Sequence, residues 1–196
     1  MEGTNPVNKK LAAALSGGAV LVLALTGCGG DDSSDKLDSW AKQVCDAVQP
    51  QAKKIEAANA AIQKQTSDNS APEDVQKTDS QAFQDMSAAY KAIGAAVQKA
   101  GVPDVEDGES KQKNAVKELN EISTAYTELK KQVDELDTKD QAKFADGLKD
   151  VAGELNKLSA SGNDALKKLE EGDVGRAMAR QESCKSASAS ASAAKS

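Results

Sequence analysis

The apolar residues of this chain recur at steps of three and four over most of its length, and this spacing restricts the fold more than any other feature. Such spacing places apolar side chains along one face of an α-helix. Four stripes of this kind can be read: Leu37, Ala41, Val44, Val48, Ala52, Ile55, Ala58 and Ile62; Phe83, Met86, Tyr90, Ile93 and Val97; Val116, Leu119, Ile122, Tyr126, Leu129, Val133 and Leu136; Phe144, Leu148, Val151, Leu155, Leu158, Leu166 and Leu169. The sequence has no long stretch of the period-two alternation that is typical of strands. We therefore predict an all-α fold built on four amphipathic helices.

Two segments have the form of a capping box, in which a hydroxyl residue precedes a glutamine by three positions. They are Thr78 to Gln81 and Thr138 to Gln141. The second is expected to start the fourth helix. The first either starts the second helix or lies inside a helix that already begins near Pro72, with Ser70 as its cap.

The remaining boundaries come from glycine and proline. Gly101 is expected to end the second helix and Gly172 the fourth, whereas Pro50 should bend the first helix without ending it. A short fifth helix is predicted from about Val174 to Lys185. Only a few residues separate the third and fourth stripes, which favours antiparallel neighbours. The predicted architecture is an antiparallel up-down four-helix bundle with a short C-terminal fifth helix.

The first 27 residues have the composition of an export signal. The basic pair Lys9-Lys10 precedes an uncharged apolar run from Leu11 to Leu25, which Thr26 and Gly27 separate from Cys28. An uncleaved membrane anchor would need roughly 20 apolar residues, and this run is shorter. An ordinary secretory signal would leave Cys28 as an exposed free thiol, which is a liability in an oxidising compartment.

The tetrapeptide Leu25-Thr26-Gly27-Cys28 resembles the lipobox of bacterial lipoproteins at every position. That resemblance implies cleavage between Gly27 and Cys28 and transfer of diacylglycerol to the Cys28 sulfur. It also implies retention of the protein on the outer face of the cytoplasmic membrane. Two acyl chains anchor a protein far more firmly than the marginal single chain.

Over its whole length the chain is also similar to small, alanine-rich helical lipoproteins of actinomycetes. The shared features are Cys28, Trp40 followed by Val44-Cys45, and Cys184 just before a polar Ser/Ala tail. This second resemblance implies no activity and no functional residue beyond the anchor and a disulfide.

Acylation of Cys28 would leave Cys45 and Cys184 as an even pair in an exported protein, which predicts a disulfide between them. The alternative is two buried free thiols. The disulfide would join the first helix to the fifth. The expected organisation is a signal peptide, a flexible tether, a helical domain and a disordered Ser/Ala tail, over residues 1–27, 28–34, 35–185 and 186–196 respectively.

The charge of the chain argues against two classes of partner. The sequence has 31 acidic and 25 basic residues and a formal net charge of −6. Loss of Glu2, Lys9 and Lys10 with the signal peptide would change this charge to about −7. A negative protein is not expected to bind nucleic acid or to adhere electrostatically to anionic lipid. Membrane contact is therefore expected through the lipid on Cys28.

The sequence offers little for catalysis or metal binding. It has no histidine, which removes histidine-dependent nucleophiles and the usual zinc ligand sets. Ser–Lys pairs stay open, because both residues are abundant and no pair stands out. The segment Asp104 to Glu109 suggests calcium, but Gly108 is its fifth residue and Ala115 stands where an EF-hand has glutamate. We expect a solvated loop there, no metal, no cofactor and no enzymatic activity.

Three aromatic residues are candidates for a binding or catalytic role. A lone tryptophan near a helix start, such as Trp40, is more often a core residue at the end of a bundle than a ligand contact. Tyr90 and Tyr126 fall inside the apolar stripes, so we expect them to be packed with their hydroxyls outward.

The expected role is that of a non-catalytic surface lipoprotein that presents a helical face to an envelope protein or a cell-wall polymer. The alternative is an extracytoplasmic lipoprotein that binds a ligand in a cavity between its helices.

Overall fold

The protein is all-α in the part of the chain that a computed structural model describes, which is residues 31–65, 70–161 and 164–185. For residues 31, 32, 160, 161, 164 and 165 only the backbone is described. The helices are α1 Asp31–Gln65, α2 Pro72–Ala100, α3 Gly108–Asp134, α4 Gln141–Ser161, α5 Asp164–Leu169 and α6 Gly172–Arg180. A last helical turn covers residues 182–185. The predicted signal peptide, Cys28 and the Ser/Ala tail lie outside the described residues.

Helix α2 lies between α1 and α3 and packs along both of them. Two buried clusters show that α2 runs opposite to α1 and to α3, because one cluster joins the starts of α1 and α3 to the end of α2 and the other joins their ends to the start of α2. The Trp40 cluster is formed by Leu37, Trp40, Ala41, Val44, Ile93, Val97, Ala115, Leu119, Leu169, Val174 and Ala177. The Phe83 cluster, at the other end, is formed by Ala58, Ala82, Phe83, Met86, Leu129, Val133 and Val151.

Small side chains allow α2 and α3 to approach closely. A Cβ atom added at Gly94 would lie 3.4 Å from the Leu119 Cβ atom. Near the middle of the pair, the Ser87 hydroxyl donates to the Ser123 carbonyl at 2.8 Å, and the Ser123 hydroxyl donates to the Ser87 carbonyl at 2.9 Å. This reciprocal pair satisfies the polar atoms of the buried Ser123, so the alanine-rich and serine-rich faces form a close interface.

Helix α4 packs against α3, whereas the backbones of α1 and α4 are not closely packed along their lengths. Its inward residues still reach the second cluster, because Val151 is buried there and Leu155 and Leu158 pack against it. The side of the helical assembly between α1 and α4 therefore remains open as a groove.

Helix starts differ from the capping boxes expected. Thr78 lies inside α2, which starts at Pro72 as the alternative prediction had it, but Ala71 and not Ser70 is the residue before the helix. For the segment Thr138 to Gln141, the prediction that Thr138 caps the helix is wrong. The Asp140 carboxylate accepts hydrogen bonds from the amides of Ala142 and Lys143, each at 3.1 Å, so Asp140 caps α4 and Thr138 does not.

Three further differences concern element lengths. Helix α1 begins at Asp31, so the last residues of the expected tether are helical. The fourth apolar stripe spans two helices, since α4 ends at Ser161 and α5 carries Leu166 and Leu169 into the Trp40 cluster. The expected fifth helix ends at Arg180, and Gln181 separates it from the last turn.

One predicted boundary is confirmed, because Gly101 follows the end of α2 with a φ of 82° and donates its amide to the Gln98 carbonyl. Pro50 lies inside the continuous helix α1 and does not end it, as expected, and the predicted bend stays a prediction. Gly172 was expected to end the fourth helix, but with a φ of 68° it is the first residue of α6 and is separated by two residues from the end of α5 at Leu169. Among the described helices, none has the length together with the apolar composition that crossing a membrane requires.

Candidate functional site

The predicted disulfide is present and joins the C-terminal segment to α1. Cys45 and Cys184 are bonded, with their Cα atoms 5.0 Å apart and a sequence separation of 139. Arg180 donates to Asp38 beside them, and the Ser183 hydroxyl donates to the Asp46 carboxylate at 2.7 Å. The two cysteines therefore form a structural staple between α1 and the last turn.

Trp40 is a core residue, as expected. Its side chain is 6 % exposed, and its indole nitrogen donates to the Gly101 carbonyl at 2.8 Å. The indole thus satisfies a carbonyl beyond the last turn of α2 and links the start of α1 to the end of α2.

Tyr90 and Tyr126 stack on each other between α2 and α3. Their ring centroids are 5.5 Å apart with an interplanar angle of 10°, and Phe83 lies against Tyr126 at 6.1 Å. Burial raises the pKa of both phenols, and the pKa of Tyr126 reaches about 12 with a further contribution from Tyr90. Neither phenol is poised to exchange a proton near neutral pH, so the pair is a packing feature.

The acidic segment between α2 and α3 forms a tight loop. The Gly108 amide donates to the Val105 carbonyl at 3.1 Å, and a Cβ atom at Gly108 would collide with the Pro103 carbonyl. Close backbone approach thus explains this glycine without a bound ion. Within residues 31–65, 70–161 and 164–185, no group of three or more acidic or cysteine side chains is arranged to hold a metal ion.

The open side between α1 and α4 holds a groove of about 480 Å³, which we call the α2–α4 groove. It is lined by the inward faces of α2 and α4 and by the end of α1. Its largest apolar lining residues are Ile62, Val75, Phe83, Phe144, Leu148 and Leu155. A groove of this size and lining is typical of sites for small, mostly apolar molecules.

One carboxyl group lies in this apolar lining. Asp79 is only 8 % exposed, and its Oδ1 atom is buried without a hydrogen-bond partner. The other lining residues are uncharged, and the polar ones among them, Gln65, Ser70 and Gln141, stand at helix ends. Burial raises the pKa of Asp79 to about 6, because the apolar surroundings disfavour the ionised form.

Buried polar groups in proteins almost always have partners, so an unpaired one calls for an explanation. Asp79 is an internal residue of α2, far from the helix start where a carboxylate would meet free amides. The arrangement can hold a hydrogen-bond donor or a cation inside an apolar groove. A pKa near 6 would also suit a general base, but the one hydroxyl among the described lining residues, that of Ser70, donates to the Gln65 carbonyl at 2.7 Å.

Comparison of the chain with protein families, curated proteins and solved structures found no match. The site must therefore be interpreted from its own chemistry.

Asp79 was not predicted as a site residue, because it lies inside the segment Thr78 to Gln81 that has the form of a capping box. A signal for it does exist. Val75, Asp79 and Phe83 are spaced by four, so Asp79 occupies an inward position of the second apolar stripe. A carboxylate at such a position is unfavourable unless it is paired, which marks the residue as a candidate site.

Proposed function

We propose that the protein is a lipid-anchored, extracytoplasmic and non-catalytic lipoprotein whose helical domain binds a small, mostly apolar molecule in the α2–α4 groove. The observation that carries this proposal is the groove itself, which combines about 480 Å³ of space with an apolar lining and the unpaired Oδ1 atom of Asp79.

The extracytoplasmic address is supported by two independent features. One is the lipobox ending at Cys28. The other is the Cys45–Cys184 disulfide, since structural disulfides persist in oxidising compartments outside the cytosol.

Of the two roles expected from the sequence, ligand binding is supported better than docking to an envelope protein or a cell-wall polymer. Stable docking surfaces usually have an apolar centre. Val102 is the single large hydrophobic residue that is strongly exposed among the described side chains. The apolar surface that this domain offers lies instead inside the groove.

We also propose that α1 to α4 form the up-down four-helix bundle expected from the sequence, with the α1–α4 side left open. Support comes from the Phe83 cluster, in which Val151 of α4 is buried with residues of α1, α2 and α3 and Ile62 packs at its edge.

The test is to fill the groove. Ala152 is an exposed lining residue of α4, so Ala152→Trp should occupy the space, whereas Ala142→Trp adds the same side chain to α4 outside the lining. Native mass spectrometry of the protein purified from its own membranes should show a retained small molecule. We expect that mass to be lost in Ala152→Trp and kept in Ala142→Trp.

Circular dichroism should show equal helicity for both variants. A wild-type protein that carries no small molecule, and that also fails to bind neutral apolar probes, would contradict the proposed function.

A further inference from the structure

We infer that the α2–α4 groove selects molecules that combine an apolar body with one positively charged amine, and that Asp79 is the residue that binds the amine. This inference rests on the proposed ligand-binding function and adds the chemical class of the ligand.

The shape and lining of the groove require the apolar body. On α2 the lining residues run from Pro72 to Phe83, which corresponds to about 16 Å of helix. On α4 they run from Gln141 to Leu155 at helical spacing. Transfer of an alkyl or aryl body from water into such an apolar channel is favourable in proportion to the area buried.

The charge of the groove requires the amine. Among the described residues, Asp79 carries the only formal charge in the lining, and no described lysine or arginine of α1, α2 or α4 lines the groove to neutralise it. An ionised carboxylate in an apolar site is unfavourable until it is paired. A protonated amine supplies up to three donors and the opposite charge, so it can bond the free Oδ1 atom.

The same charge disfavours other ligand classes. A fatty acid would bring a second carboxylate next to Asp79, and like charges in an apolar site repel strongly. A neutral alcohol of the same length gains the apolar burial and a weaker hydrogen bond. The groove should therefore rank an amine above an alcohol and an alcohol above a carboxylate.

The experiment uses three photoreactive probes with the same ten-carbon chain and diazirine group, ending in an amine, an alcohol or a carboxylate. The mature lipoprotein is placed in phosphatidylcholine nanodiscs and labelled by light. Peptide mapping then gives the probe concentration for half-maximal labelling of the groove peptides of α2 and α4. Because partition into lipid is the same for every protein variant, ratios between variants report the site alone.

We expect the amine to label the groove of the wild type at a concentration lower than it needs for Asp79→Asn by about tenfold or more, which is a preference for the amine. In Asp79→Asn this preference should disappear while the alcohol labels as before. Asp85→Asn is the matched control, because it removes one exposed charge of α2 outside the groove and should keep the preference.

Failure of the two proposals can be told apart. An amine-to-alcohol ratio of half-maximal concentrations that is the same in the wild type and in Asp79→Asn would overturn the amine inference and leave ligand binding standing. Absence of labelling at the groove by all three probes would overturn the proposed function as well.

Discussion

Asp79 combines features that rarely occur together, since its carboxyl is buried, unpaired at Oδ1 and placed in the middle of a helix. An uncompensated polar group of this kind lowers the stability of the folded protein. Groups that lower stability are frequently found at binding sites, where the ligand supplies the missing partner. The stability of the ligand-free protein therefore gives an independent test of this residue.

Replacement of Asp79 by asparagine should increase the free energy of unfolding by about 1–2 kcal/mol at pH 7.5, because the ionised form is no longer buried. The measurement is urea denaturation of the ligand-free protein. Asp85→Asn, which changes an exposed carboxylate of the same helix, should leave the midpoint almost unchanged. A destabilised Asp79→Asn protein would show that the carboxylate has a partner.

The same residue predicts a pH dependence. Burial raises the pKa of folded Asp79 from 3.8 to about 6, so the folded state holds this proton more tightly than the unfolded state. The contribution of Asp79 to stability is then most favourable below the unfolded pKa and falls as the pH rises through the folded pKa. We expect the difference in unfolding free energy between Asp79→Asn and the wild type to be near zero at pH 4 and to reach its full size above pH 7. A difference that does not change over this range would contradict the assignment.

Trp40 gives a second prediction at the scale of a single side chain. Trp40→Phe keeps an aromatic ring in the Trp40 cluster but loses the indole hydrogen bond to the Gly101 carbonyl. The free energy of unfolding should fall by about 1 kcal/mol. Guanidinium denaturation measures it, and an unchanged slope would show that the loss is local. An unchanged midpoint would mean that water replaces the indole at this carbonyl.

At the scale of the elements, the structure distinguishes between two candidate capping residues of α4, Asp140 and Thr138, which the sequence alone does not. Asp140→Ala removes the acceptor of two helix amides and should lower the free energy of unfolding by about 1 kcal/mol. Thr138→Ala is the matched control and should have little effect. The measurement is the melting temperature of both variants. A larger decrease for Thr138→Ala than for Asp140→Ala would show that Thr138 caps α4, as the capping box predicts.

The last turn and α6 depend on the Cys45–Cys184 staple. Either Cys45→Ser or Cys184→Ser should lower the free energy of unfolding by up to about 5 kcal/mol, because the bond closes a very long loop. The far-ultraviolet helical signal at 25 °C should persist, since most of the core does not involve α6. Addition of a reductant should destabilise the wild type alone. Equal melting temperatures for oxidised and reduced wild type would rule out this role.

The positions of the first three helices could be predicted from the sequence, because each buries one face and its apolar residues repeat at the helical period. The apolar spacing of the fourth stripe continues through Leu166 and Leu169, so the sequence predicted one helix where the described residues form the two elements α4 and α5. The spacing of apolar residues predicts on which face of a helix a residue lies, but it does not predict which buried cluster that residue joins.

Contacts between helix ends could not be predicted. Gln76 donates to the Val133 carbonyl at 2.9 Å and to the Leu136 carbonyl at 3.0 Å, and Gln112 donates to the Val97 carbonyl at 3.1 Å. These glutamines satisfy carbonyls at the ends of neighbouring helices, which is a tertiary effect. The groove is also a tertiary effect, because it depends on the position of α4 relative to α1. The sequence is sufficient to predict that Asp79 faces inward. That its Oδ1 atom has no hydrogen-bond partner can be seen only in the structure.

For the whole molecule, the main prediction concerns the anchor. Cys28→Ala should prevent acylation and move the protein from the membrane fraction to the soluble or precursor fraction, because the other charges of the chain give no affinity for anionic lipid. Globomycin should cause the lipid-modified precursor to accumulate. Intact-mass analysis is the measurement, and an unmodified Cys28 in a mature membrane-bound protein would refute the lipoprotein assignment.

The staple between α1 and the last turn also affects how the protein responds to proteolysis. A protease that cuts the connection between α3 and α4, for example after the exposed Lys139, divides the chain into two fragments. The C-terminal fragment contains Cys184 and remains covalently joined to the N-terminal fragment through Cys45. A single cut in this connection therefore leaves the two halves of the domain joined. Separation of the C-terminal fragment then needs reduction of the Cys45–Cys184 bond.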